Sequence, residues 1–198
     1  MKVLIFGCRA FVGPFLTLVL VAVPAWAGGG CVQPNCHLAG QAILTDSAGK
    51  SHQIEIPKAA YLHDGELRLY PGQSVLLHVA DAKEGGLGAI SVSRAEAAKP
   101  DGSNFLKDLN TEPGMLIVTY FQRGKGGPME LRIAHNLLNA VRYRAATDVL
   151  TAKGYLTQSA AICAVPPMKV GPETWPYLIA AVTLKDFRFA TDQEKPCV

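Results

Sequence analysis

The feature that most restricts the fold of this chain is a period of two. Met129, Leu131 and Ile133 alternate with Glu130 and Arg132, and Val141, Tyr143 and Ala145 alternate with Arg142 and Arg144. Ile54 and Ile56 alternate in the same way with Gln53 and Glu55, as do Leu67 and Leu69 with Glu66, Arg68 and Tyr70. Successive side chains of a strand point to opposite faces, so this spacing specifies half-buried strands rather than helices.

Turn chemistry punctuates the pattern. Proline presets φ for the first central turn position and glycine supplies the positive φ of the second, so Pro71-Gly72 and Pro113-Gly114 read as type II turns. The clearest hairpin joins 115–122 to 129–134 through the loop Arg123-Gly124-Lys125-Gly126-Gly127-Pro128. Further strands are expected at 40–45, 51–57, 74–79 and 177–189, with weaker ones at 89–93 and 159–165. A bulge is expected near Asp186, because Val182 and Leu184 are out of phase with Phe187 and Phe189.

Helix is minor. Residues 94–99 and 104–109 are each long enough for a turn or two, and 145–153 is compatible with strand or helix. About ten short strands at this spacing predict an all-β, single-domain antiparallel β-sandwich over 40–198. An immunoglobulin-like type is favoured over a closed barrel, although the Cys–Trp spacing of antibody domains is absent.

The start of the chain reads as a targeting segment. Lys2 and Arg9 precede the apolar run 11–23, and Ala25 and Ala27 form the small-x-small pattern of a signal-peptidase site. That run contains Gly13, Pro14 and Thr17 and falls short of the roughly 20 apolar residues that span a bilayer. Cleavage after Ala27 is therefore expected, with a glycine-rich irregular segment at 28–39 and no integral membrane segment after cleavage. Removal of Lys2 and Arg9 lowers the formal net charge from +3 to +1. A near-neutral domain has no electrostatic footprint for nucleic acid.

Four cysteines remain beyond the leader: Cys31, Cys36, Cys163 and Cys197. An even count in an oxidising compartment reads as two disulfides, with Cys31–Cys36 closing a local loop and Cys163–Cys197 preferred as the second. Cys31-x4-Cys36-His37 departs from the C-x2-C-H spacing of c-type haem attachment, so a haem reading is weak.

No chemical motif is complete. Gly72-Gln73-Ser74-Val75-Leu76 lacks the final glycine of a nucleophile elbow, and Gly49-Lys50-Ser51 lacks the first glycine of a phosphate loop, where Leu44 stands. His37, His52, His63, His78 and His135 have no metal-ligand spacing. Cys163 and Met168 lack the histidine that a copper loop places between them. Trp175, Tyr177 and Tyr155 form a candidate aromatic interaction surface, with packing at the rim of the core as the plainer reading. Arg132, Arg142 and Arg144 form a candidate basic stripe.

The sequence thus predicts an exported, periplasmic or extracellular, non-enzymatic domain that binds a protein or glycan partner of the cell envelope or serves it structurally, with no cofactor. The alternatives are a secreted hydrolase in which Asp64, His78 or His135 converges with a serine, and, behind it, a metal or haem carrier.

Overall fold

The computed structural model describes residues 31–80, 87–191 and 194, and within them the chain forms twelve strands. The expected leader and Cys197 lie outside the described residues. One five-stranded antiparallel sheet runs β10 (Gly154–Ala160), β9 (Val141–Thr151), β12 (Ile179–Phe189), β4 (Glu66–Leu69), β3 (Leu62–His63). A second runs β11 (Val170–Trp175), β8 (Met129–His135), β7 (Met115–Gln122), β5 (Gln73–Val79), β6 (Ile90–Ala97). The hairpin of β1 (Gly40–Thr45) and β2 (Ser51–Ile56) pairs with neither sheet.

The period-two residues meet between the sheets. Leu67, Leu69, Val141, Tyr143, Val182 and Leu184 from the first sheet pack with Val75, Leu77, Leu116, Val118, Leu131 and Ile133 from the second. Burying each such side chain is worth about 1.5–3 kcal/mol, which makes this layer the main source of stability. The Tyr120 hydroxyl donates to Ile179 O (2.7 Å) across the layer, satisfying a phenol that would otherwise be costly to bury. Leu44 and Ile54 anchor the separate hairpin in the same core.

The Pro71-Gly72 turn forms, and the chain changes sheet there. Gly72 has φ +86°, its N–H donates to Tyr120 O (2.8 Å), and Gln73 Oε1 accepts the Tyr70 N–H (2.8 Å). The 115–122 hairpin forms as expected, with register Gln122 opposite Met129. The bulge also forms: the β12–β9 register shifts between Lys185 and Arg188, and Asp186 has φ +54°.

Two sequence expectations are corrected and one open alternative is decided. Residues 94–97 continue strand β6, and the ambiguous 145–153 segment is mostly strand β9. The best-paired stretch near the expected 159–165 strand lies earlier, at β10, while Val165 keeps only an isolated bridge to Val141. Strands β3 and β11 had no clear signal, because one is two residues long and the other contains Pro172.

The outer face of the second sheet is covered rather than solvated. Phe105 and Leu109, from a loop with one 3-10 turn at Asp108–Asn110, pack on Leu76, Met115, Ile117 and Ala134. Beside them Glu130 is fully buried between Arg123 (2.5 Å) and Arg132, and Arg132 also donates to Asp101 O. Glycine is favoured at Gly102 by its φ of +65°, and a Cβ there would also displace the Arg132 guanidinium, which would lie 2.6 Å from it.

Candidate functional site

The β1–β2 hairpin carries the most distinctive arrangement of polar groups, and its turn is built by Asp46. Asp46 Oδ1 accepts the N–H groups of Ala48 (3.0 Å) and Lys50 (2.9 Å), while Gly49 at φ +83° donates to Asp46 O (2.9 Å). The other carboxylate oxygen lies 2.9 Å from His52 Nε2. The bond from His52, reinforced by the two amides, holds the Asp46 carboxyl below its ordinary pKa. The register explains the meeting: Leu44 lies opposite His52, which puts His52 diagonally across from the turn.

One side of this hairpin borders a cleft of about 590 Å³. Asp46, Lys50, His52 and Thr151 are among its polar residues, and Leu150, Pro176, Tyr177 and Leu178 form its apolar wall. The Tyr177 hydroxyl accepts from Gln158 Nε2 (3.1 Å), which ties this wall to β10. A concave site with an apolar wall and a few convergent polar groups is suited to binding a small polar ligand or a side chain.

On its other side, β1 borders a cleft of about 890 Å³. Its walls include Ala42, Ile43, Pro71, Pro100 and Phe121, with Lys99 and Lys125 as its charged residues. Here the side-chain amide of Gln122 acts as a one-residue strand. Its Oε1 accepts the Thr45 N–H (3.0 Å) and its Nε2 donates to Thr45 O (2.6 Å).

The three aromatic candidates divide. Trp175 is buried at 8% exposure and packs in the core, whereas Tyr177 (40%) lines the first cleft. Tyr155 is exposed on β10 at 58%, opposite Leu150 in register, but does not line that cleft. The arginine stripe is also corrected. Arg132 lies on the second sheet with Glu130, while Arg142 pairs with Glu194 (3.1 Å) and Arg144 with Asp186 (3.4 Å) on the first.

The hydrolase residues are not assembled. His135 is fully buried with both ring nitrogens engaged: Nε2 lies 2.8 Å from Val165 O, and Nδ1 accepts the Leu137 N–H (3.3 Å). That pairing places the proton on Nε2, and burial lowers the pKa, so the ring is a neutral structural group. His78 is exposed on β5, and Asp64 sits in the exposed β3–β4 turn beside His63 (3.3 Å). No serine hydroxyl is hydrogen-bonded to His52 among the described residues.

Cys31 and Cys36 are joined, which uses both sulfurs that a haem attachment would need. Cys163 is also disulfide-bonded, to a residue outside the described ones, so it is not free to serve as a copper thiolate. His37 is buried against Tyr61 and Tyr70 at ring-centroid distances of 5.1 and 5.3 Å, and burial lowers its pKa. No group of three or more His, Cys, Asp or Glu side chains among the described residues is placed to hold a metal ion. No described helix is long and apolar enough to cross a membrane.

The sequence reading missed the Asp46–His52 pair and Gln122. The first was recoverable, since an aspartate opening a short turn and a histidine six residues later become diagonal neighbours once the hairpin register is assigned. Gln122 had no local signal, because its partner Thr45 is 77 residues away. No protein-family model, curated protein or solved structure matches this chain.

Proposed function

We propose that this chain is an exported, non-enzymatic binding domain of the cell envelope, and that the end of the sandwich bearing the β1–β2 hairpin is its contact region. The observation that carries the reading is the cleft beside Asp46, His52 and Tyr177, where a rigid aromatic and a fixed carboxylate–imidazole pair face one space. Export to a periplasmic or extracellular compartment is supported by the leader pattern and by cysteines paired as an oxidising compartment favours.

An Asp–His pair alone does not make a hydrolase. The imidazole needs a nucleophile on its other side, and none is bonded there among the described residues. The fold supports an immunoglobulin-like sandwich only in the coarse sense of two facing antiparallel sheets. Strands β5 to β8 follow one another within one sheet, unlike the ABED and CFG division of that type.

Crosslinking pull-downs from an envelope fraction, run beside a glycan array, test the proposal. The expected result is a specific protein or glycan whose binding falls at least about tenfold in Tyr177→Ala, a loss typical of a buried aromatic contact. Undiminished binding by Tyr177→Ala and Asp46→Asn would remove this cleft from the account.

A further inference from the structure

The edge of β1 that no described strand pairs has a more specific use than the cleft beside Tyr177. In an antiparallel pair, alternate residues turn their N–H and C=O groups toward the partner strand and away from it. Asp46 N–H donates to Lys50 O, so Leu44 and Ala42, in phase with it, face β2. Thr45 faces outward, and both of its backbone groups are taken by the Gln122 side chain. Ile43 and Gln41 share the outward phase of Thr45, and their backbone groups have no partner among the described residues.

We infer that this edge receives an extended acidic peptide segment of a partner protein, added as a third strand beside β1. Gln122 already makes the first rung of that ladder at Thr45, and the next rungs are Ile43 and Gln41. The cleft that runs along 41–45 has room for the added strand's side chains, and its apolar walls at Ala42, Phe121 and Pro71 suit apolar residues at alternate positions. Its lining contains Lys99 and Lys125 and no carboxylate, so the charge that complements it is negative. Neither proline nor a charged side chain occurs in β1 to block pairing, although natural edges usually carry one.

This inference rests on the reading of the chain as a binding domain, but it concerns the face of the hairpin away from Tyr177. The probe is a capped eight-residue peptide of alternating valine and glutamate, followed by backbone amide shifts and hydrogen exchange on the purified chain. The peptide is expected to slow exchange at Ile43 and Gln41, and to bind at least tenfold more tightly than its valine–lysine counterpart. Lys99→Glu with Lys125→Glu should reverse that preference while leaving the fold intact, and Ile43→Pro should abolish binding by removing the outward N–H. A peptide N-methylated at alternate residues should fail to bind.

Equal binding of the two peptides, or exchange at Ile43 unchanged at saturation, overturns the inference. So does a dimer that protects Ile43 and Gln41 without peptide, since the edge would then belong to a second copy. Shifts confined to residues around Tyr177 would overturn the β1 assignment and leave the binding-domain reading standing.

Discussion

Two borders of this molecule, β1 and β11, each have one edge that no other described strand pairs, yet their side chains treat them differently. Strand β11 carries Pro172 at its centre, opposite Arg132, so one backbone donor is missing from that edge. Gly171 beside it lets the chain approach Val165 closely, since a Cβ there would come within 2.6 Å of its side chain. Strand β1 has no such device, and among the described residues only Gln122 occupies part of its edge. Strand order alone therefore does not decide which edge is open; one proline or one amide side chain does.

The strongest perturbation should leave this difference intact while weakening everything beneath it. Leu131→Ala empties a fully buried site on β8, and such truncations cost about 2–5 kcal/mol. Chemical denaturation should report that loss, with exchange protection falling on both edges together. A loss confined to β11 would mean that the sheets do not unfold as one unit.

Arg132→Met should act on the second sheet, where Arg132 lies opposite Pro172 of β11. It leaves the buried Glu130 carboxylate with Arg123 as its one remaining cation, and an inadequately paired buried charge costs about 2–3 kcal/mol here, less than the full buried-pair figure because Arg132 is partly exposed. Restoration of stability by adding Glu130→Gln would identify the stranded charge as the cause. Failure of that rescue would point instead to the contact with Asp101.

Acid should weaken the β11 side through His135, whose lowered pKa comes from burial at the end of β8. His37, lowered for the same reason, adds to the effect. Both rings are neutral in the folded chain, and the unfolded chain takes up protons first as pH falls below about 6.5. Stability is thus complete above that pH and declines below it, so the urea midpoint should be lower at pH 5 than at pH 7.5. Equal midpoints would contradict the neutral, buried assignment.

The smallest effect on stability belongs to the β1 side. Gln122→Ala removes the bonds to Thr45 and to Gly127 O, and about 0.5–1.5 kcal/mol is expected, because water can replace the amide at this partly exposed site. Its clearest consequence is local: the Thr45 amide should exchange as readily as Ile43.

What the sequence disclosed follows the range of the interactions. The 115–122 hairpin, the Pro71-Gly72 turn and the Asp186 bulge are written in adjacent residues, through alternation and turn chemistry. Sheet membership is not, because pairings such as Val182 with Leu69 join segments far apart in the chain. Residue type leaves Trp175 open between an exposed contact and packing at the rim of the core, and the β11–β8 register decides it by putting Trp175 opposite Met129 and into the core. At the candidate site, the aromatic Tyr177 was legible from residue type. Both clefts required the position of a hairpin that belongs to neither sheet.

The open β1 edge is the central claim, and residue-resolved amide hydrogen exchange on the unliganded chain tests it most directly. Alternation is predicted, with Ala42, Leu44 and Thr45 slow and Gln41 and Ile43 fast. Ile43 exchanging as slowly as Leu44 would contradict the account, because its backbone would then already have a partner.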